Sequence, residues 1–111
     1  MSFFSKPSGA NNISAQEAYK RMGETDKYIL LDVRTPQEFA QVRIKGAKLI
    51  PLDQLGSRAA AEVPDKDALI FVYCQSGARS TRAAGMLANM GYTAVANFGG
   101  IMDWPYETER G

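Results

Sequence analysis

The chain has 111 residues and a mass of 12.1 kDa, which suits one domain with a real hydrophobic core but not two. Apolar residues make up 45%, charged residues 23%, and the net charge is +1, so the composition does not point to nucleic acid or an anionic membrane. A single cysteine excludes an internal disulfide, and the absence of histidine excludes a Cys–His pair and an ordinary zinc site.

The ends of the chain are predicted to be poorly structured. Residues 1–11 are rich in Ser, Gly, Pro and Asn and are predicted to form a flexible segment, with one domain over 12–105 and a polar tail over 106–111. Residues 1–6 lack the apolar core of a secretion signal, and no apolar run approaches the ~20 residues that span a bilayer. A reactive thiol fits a reducing compartment, so we expect a cytoplasmic protein.

Two capping boxes predict helix starts in the first half of the chain. Ser14 precedes Glu17 by three positions, and Thr35 precedes Glu38 in the same way, with Pro36 at the first helical position. The apolar positions of the first helix recur at helical spacing: Ala15, Ala18, Tyr19 and Met22. We expect this first helix to be structural.

A buried strand is predicted between these helices, over the apolar run Tyr28–Val33. Asp32 and Arg34 lie at its carboxyl end, where open α/β sheets place their ligand sites. Asp32 is expected to form a structural ion pair or to hydrogen-bond a neighbouring loop. Arg34 has two alternatives, which are contact with an anionic substrate and support of the loop that follows Cys74.

The middle of the chain is predicted to contain a basic connection, a short strand and a helix. Arg43–Lys48 reads as a solvated basic face, with substrate attraction as the alternative. The proline in Leu49–Leu52 indicates an edge strand or a strand end. Asp53 is a candidate cap for a helix through Ala61, and Pro64–Asp67 is predicted to be a turn.

The only cysteine, Cys74, lies where a predicted buried strand, Leu69–Tyr73, turns into a helix that Ser80 or Thr81 could cap and Gly91 closes. Inward-pointing backbone N–H groups and the positive end of the helix would stabilise an anion there, so we expect a lowered thiol pKa and a competent nucleophile. The alternative is a cysteine that serves only as a small buried hydrophobe.

The last predicted strand is Thr93–Phe98, followed by a tight turn at Gly99 and Gly100 and a brief helix. Trp104 is interpreted as a core residue rather than a substrate contact.

In this order, the motifs resemble those of the rhodanese (sulfurtransferase) family over about residues 13–104. The matching pieces are Leu31–Phe39, Ile44–Ala47, Ile50–Leu52, Cys74–Ser80, Phe98–Gly100 and Trp104. The resemblance implies an α/β, rhodanese-like fold, with a central, mostly parallel five-stranded sheet flanked by helices on both faces. It also implies a thiosulfate sulfurtransferase-like enzyme without a cofactor or metal.

The resemblance assigns a role to each candidate residue of the site. Cys74 would carry sulfur as a persulfide, taken from thiosulfate or a persulfide donor and passed to a thiol or cyanide acceptor. Asp32 and Arg34 are candidate supporting residues of this site, with the alternatives for each left as stated above. The loop residues are Gln75, Ser76, Gly77, Ala78, Arg79 and Ser80. Arg79 would steer the anionic end of the donor or lock the loop, and lysine should replace it poorly.

Loop length separates sulfur transfer from related chemistries. Four residues lie between Cys74 and Arg79, whereas cysteine phosphatases and arsenate reductases of this superfamily have one more, which widens the loop for a tetrahedral oxyanion. A persulfide carrier that serves a protein partner without turnover remains an alternative. Two departures from the family pattern bear on detail: Val42 and Arg43 replace the usual Gly-His, and neutral Gln75 stands where many thiosulfate-using relatives have arginine.

Overall fold

The computed structural model describes residues 10–111. The elements in that range are, in chain order, β1 (Ala10–Asn12), α1 (Ala15–Met22), β2 (Ile29–Asp32), α2 (Pro36–Gln41), β3 (Val42–Ile44), β4 (Lys48–Leu49), α3 (Leu52–Glu62), β5 (Leu69–Cys74), α4 (Ala78–Asn89), β6 (Ala94–Gly100), a 3₁₀ turn (Ile101–Asp103) and β7 (Thr108–Arg110). No helix in this part of the chain is both long and apolar enough to cross a membrane.

Five strands form one parallel sheet in the order β1-β6-β5-β2-β4. The strand that carries Cys74, β5, is central and pairs with β2 and β6. The predicted five-stranded α/β fold is therefore confirmed. Because the carboxyl ends of parallel strands meet at one edge of a sheet, Asp32 lies beside Tyr73, and Cys74 lies beside Gly100.

Helices cover both faces of the sheet, which explains why β5 is apolar along its length. On one face, α3 and α4 contribute Leu55, Ala83 and Leu87 to a buried cluster that also contains Cys74. On the other face, α1 and the segment after β6 cover a second cluster that contains Phe71. Trp104 belongs to this second cluster and is 9% exposed. It is therefore a core residue, as predicted.

Local signals placed the starts of α1 and α2 correctly. Ser14 accepts a hydrogen bond from the Glu17 N–H, and Thr35 and Glu38 form the full reciprocal capping box. The prediction for Asp53 is wrong, because α3 begins at Leu52 directly after Pro51 and has no side-chain cap. Proline already presets the backbone for a helix start, so Asp53 lies inside the first turn.

Both ends of the described part of the chain take part in strands, which composition did not indicate. Residues 1–9 of the predicted flexible segment lie outside the described residues, whereas Ala10 and Asn11 lie in β1, paired with β6. The predicted tail contains β7, which pairs antiparallel with β3. An unpaired β3 would expose a row of backbone polar groups, and β7 satisfies them. The strand over 94–100 is thus not the last one, and the fold extends to residue 110.

Candidate active site

Cys74 is the last residue of β5, and α4 begins only four positions later. Gly77 makes this short connection possible, because it has φ 111° and precedes the helix in the left-handed region that favours glycine. Ser80 and Thr81 were predicted as helix caps, and that prediction is wrong. They lie in the first turn of α4, and each hydroxyl donates to the Gly77 carbonyl. The left-handed glycine lets the chain enter the helix before either residue.

The loop surrounds the Cys74 sulfur with hydrogen-bond donors. The Gly77 N–H donates to Sγ at 3.0 Å, and the Ser80 Oγ lies 3.6 Å from it. Burial acts to raise the pKa of the Cys74 thiol, but hydrogen bonds from the backbone and hydroxyl of Ser80 and from the N–H groups of Gly77 and Ser76 outweigh it, and the pKa lies below its ordinary value. A thiol stabilised in this way as a thiolate is a nucleophile that needs no imidazole.

Cys74 is also a well-packed hydrophobic residue, since it is 1% exposed and belongs to the cluster under α3 and α4. The packing of Cys74 therefore agrees with the alternative that it is a small buried hydrophobic residue. It does not account for the N–H and hydroxyl groups directed at the sulfur. Of the other loop residues, Ser76 and Ala78 are exposed beside the thiol, and Gln75 is half-buried.

The end of β6 supports the loop from behind. A register shift between Val72 and Tyr73 places Tyr73 opposite Gly99 and Cys74 opposite Gly100, where a tight turn was predicted. That prediction is wrong, because the two glycines continue the strand. A Cβ on Gly100 would lie 2.7 Å from the Ser76 Cα and nearer still to the Gln75 carbonyl oxygen. The strand therefore lies directly against the loop backbone.

Arg79 joins the cysteine loop to helix α2. Its Nη1 and Nη2 donate to Oε1 and Oε2 of Glu38 at 2.7 and 2.9 Å. This is a bidentate contact, which the planar guanidinium can make and a lysine ammonium cannot. Glu38 also accepts from the Thr35 backbone N–H. Sequence reasoning identified Glu38 only as part of a capping box. The signal for its second role was the lone arginine in the loop, which needs an acidic partner.

We expect Glu38→Gln to slow sulfur transfer by about three- to tenfold, because it weakens two charge-assisted hydrogen bonds that hold the loop. The bond with Arg79 lowers the pKa of Glu38 to about 2 against an ordinary 4.5. A lowered carboxylate pKa means that the pair contributes its full stability above pH 4.5 and loses it only as the pH falls toward about 2. The measurement is the initial rate of sulfur transfer.

Glu62→Gln is the matched control for this variant, because it weakens the ion pairs of Glu62 with Arg58 and Lys48, neither of which is a residue of the loop. That variant should retain the full transfer rate. Equal rates in Glu38→Gln and the unmodified protein would show that the Arg79 contact does not shape the site.

Asp32 and Arg34 form a buried ion pair behind the loop, with side chains 0% and 1% exposed. The Arg34 guanidinium also donates to the Val42 carbonyl at 2.6 Å and to the Gln75 Oε1 at 3.1 Å. Asp32 thus has the structural ion pair expected for it. The bond to Gln75 places the Arg34 guanidinium against the cysteine loop, as the alternative of loop support requires.

The basic stretch after α2 binds acidic and backbone groups rather than the site. Arg43 pairs with Glu109 of β7 and donates to the Phe39 carbonyl, and Lys48 pairs with Glu62. Val42 supplies its backbone carbonyl to Arg34, so the unusual Val42 side chain is not required for that contact. This arrangement agrees with the interpretation of the stretch as a solvated basic face.

Comparison with known proteins decides the family. The sequence pattern of the Rhodanese-like domain matches residues 14–106. The chain belongs to the rhodanese family. The fold and the short loop around Cys74 agree with that membership, and so does the ordered set of motifs from which the family resemblance was inferred.

Rhodanese-family relatives and solved structures cover most of the chain. Thiosulfate sulfurtransferase PspE of Escherichia coli K12 is 44% identical over 73 residues, which is 66% of this chain and 70% of that protein. A sulfurtransferase of Allochromatium vinosum is 39% identical over 95 residues, 85% of this chain and 87% of that protein. The structure of a rhodanese with anions from E. coli has a TM-score of 0.71 and 39% identity, covering 76% of this chain and 99% of its own.

These relatives give this rhodanese-family protein its enzyme class, which is that of a sulfurtransferase. The class requires a sulfur donor and a sulfur acceptor as substrates.

Proposed function

We propose that this protein takes sulfane sulfur from thiosulfate or a related persulfide donor, holds it as a persulfide on Cys74, and passes it to a thiol. The observation that carries the proposal is the Gly77 N–H at 3.0 Å from the Cys74 Sγ, in a loop that lowers the thiol pKa. The name of the relative PspE, a thiosulfate sulfurtransferase, supports thiosulfate as a donor.

The first step forms the persulfide. The Cys74 thiolate attacks the outer sulfur of thiosulfate, the S–S bond of thiosulfate breaks, and sulfite leaves with the bonding electron pair. The product is a Cys74 persulfide whose outer sulfur carries the negative charge. The exposed N–H groups of the loop then face that charge, as preorganised donors do in other enzymes that stabilise anions.

The second step returns the enzyme to its starting state. An acceptor thiolate attacks the outer sulfur, the bond between that sulfur and Sγ breaks, and the Cys74 thiolate leaves with the electron pair. With cyanide as the acceptor, the product is thiocyanate. Neither step needs a general base, which agrees with the absence of histidine from the sequence.

The charges around the loop bear on the choice of donor. Glu38 neutralises Arg79, Asp32 neutralises Arg34, and the loop position after Cys74 is the neutral Gln75. A dianion such as thiosulfate gains little long-range attraction from paired cations. An alkyl persulfide donor, whose persulfide group carries a single negative charge, therefore suits the site better.

The test compares thiosulfate with a small-molecule persulfide as donors at equal concentration, with cyanide as the acceptor and thiocyanate as the product. We expect turnover with both donors and a higher kcat/KM for the persulfide. Intact mass should show one added sulfur atom on Cys74 when no acceptor is present. Hydrolysis of p-nitrophenyl phosphate without any sulfur transfer would contradict the proposal, and a stable persulfide without turnover would identify a carrier instead of an enzyme.

A further inference from the structure

Asn97 is a buried amide that the mechanism above does not use. It lies in β6 and is 5% exposed, and its side chain makes three hydrogen bonds. Its Oδ1 accepts from the Gly99 N–H at 3.0 Å, and its Nδ2 donates to the Thr81 Oγ1 at 3.2 Å and to the Asn12 Oδ1 at 3.1 Å. Two of the three bonds lead toward the cysteine loop and one leads away from it, to the edge strand β1.

One of the two bonds toward the loop is to Gly99, and the other reaches Gly77 through Thr81. Gly99 and Gly77 both have left-handed backbones, with φ 94° and 111°. Asn97 holds Gly99 directly and holds Gly77 through Thr81, whose hydroxyl donates to the Gly77 carbonyl at 2.8 Å. Glycine adopts these conformations without strain but is otherwise flexible, so the hydrogen bonds from Asn97 and Thr81 restrain the Gly99 N–H and the Gly77 carbonyl.

The same two glycines hold the hydroxyl beside the sulfur. The Ser80 Oγ lies 3.1 Å from the Gly77 carbonyl, 3.2 Å from the Gly99 carbonyl and 3.6 Å from the Cys74 Sγ. A hydroxyl has one proton, so it donates to a carbonyl while the thiol is neutral and to the sulfur once the thiol ionises. The positions of the two carbonyls therefore decide how readily this hydroxyl stabilises the thiolate.

We propose that Asn97 is a positioning residue for the Cys74 thiolate: it restrains the backbone of Gly99 directly and that of Gly77 through Thr81, and these two residues place the Ser80 hydroxyl and the Gly77 N–H around the sulfur. The inference concerns the site on which the proposed function rests, and it specifies which residue outside the loop maintains that site. Asn97 acts through the glycines and Ser80 and has no contact with the sulfur of its own.

The charged groups near the thiol stay unchanged in the test. They are Arg79, paired with Glu38 of α2, and the Asp32–Arg34 pair at the end of β2, which reaches Gln75 of the loop. Asn97 and Thr81 are neutral, and we replace them only with neutral residues. A change in thiol ionisation then reports a change in hydrogen bonding and not in local charge.

The experiment measures the rate of Cys74 alkylation by iodoacetamide as a function of pH in the full chain, with thermal unfolding as a parallel readout. In Asn97→Ala and in Thr81→Val, the midpoint of the alkylation profile should move about one pH unit upward, which lowers the rate about tenfold at pH values well below the midpoint. Thr81→Ser keeps the hydroxyl and should restore the original profile.

Asn12→Ala is the matched control, because it removes the side-chain hydrogen bond of Asn97 that leads away from the loop. It should lower the unfolding temperature and leave the alkylation profile in place. An unchanged profile in Thr81→Val, or in a folded Asn97→Ala, would overturn the proposal and leave Asn97 with a purely structural role. If Asn97→Ala does not fold, the Thr81→Val and Thr81→Ser pair decides.

Alkylation of Cys74 needs neither a sulfur donor nor a sulfur acceptor, so the two proposals fail separately. A shifted profile in a protein that forms no persulfide from any donor would support the role of Asn97 and contradict the proposed function. An unshifted profile in a protein that transfers sulfur would do the reverse.

Discussion

Serine in place of Cys74 is expected to abolish sulfur transfer completely while the chain folds as before. The serine hydroxyl does not ionise near neutral pH and cannot form a persulfide, so the first step is lost. Its oxygen can still accept from the Gly77 N–H, which keeps the loop in place. We expect the free energy of unfolding to fall by no more than about 1–2 kcal/mol. Thiocyanate formation and intact mass after donor treatment measure the first effect, and urea unfolding measures the second.

Cys74→Ala is the companion variant, since it removes the acceptor atom as well and leaves the Gly77 N–H without its sulfur partner. It should lack activity in the same way and be less stable than Cys74→Ser. Residual sulfur transfer in Cys74→Ser would show that another group carries the sulfur. A Cys74→Ser variant that fails to fold would favour the interpretation of this cysteine as a buried hydrophobe.

Gly100→Ala is expected to lower kcat/KM for sulfur transfer by on the order of 10²-fold. The added methyl group would lie 2.7 Å from the Ser76 Cα and within van der Waals overlap of the Gln75 carbonyl. Both neighbours are backbone atoms, so the loop itself must move, and with it the N–H groups that surround the sulfur. Steady-state kinetics measure the loss, and the alkylation rate of Cys74 shows whether the thiolate is also destabilised.

Gly85→Ala is the control for the methyl group as such. Gly85 lies within α4, and a Cβ there would meet nothing within 4 Å. Because alanine stabilises a helix more than glycine does, the free energy of unfolding of this variant should rise by about 0.5–1 kcal/mol, and its activity should be kept. Full activity in Gly100→Ala would show that the close approach of β6 does not determine the geometry of the loop.

Cys74 and Gly100 meet different requirements of one site. Cys74 supplies the reacting atom, whereas Gly100 supplies only the space that lets the loop close around that atom. The charged groups near the loop are paired with each other, since Arg79 and Arg34 both form ion pairs with carboxylates. The sulfur is thus stabilised mainly by N–H and hydroxyl groups, which is why their positions matter so much in this protein.

The sequence alone was sufficient for the features that depend on neighbours along the chain. The apolar run before Cys74 predicted a central strand, because a strand covered on both faces needs apolar residues throughout. The Thr35 capping box predicted the start of α2, and Gly91 with φ 98° follows α4 as its position indicated. The place of the nucleophile followed from these local signals, as did the family resemblance.

Only the tertiary structure decided what holds the nucleophile in place. Glu38 and Arg79 are 41 positions apart, and they meet because α2 and the loop both follow carboxyl ends of adjacent parallel strands. The approach of Gly100 to Gln75 and the hydrogen bonds of Asn97 depend on the register between β5 and β6. Strand order and register arise from packing across the whole sheet, so they leave no pattern in any short stretch of residues.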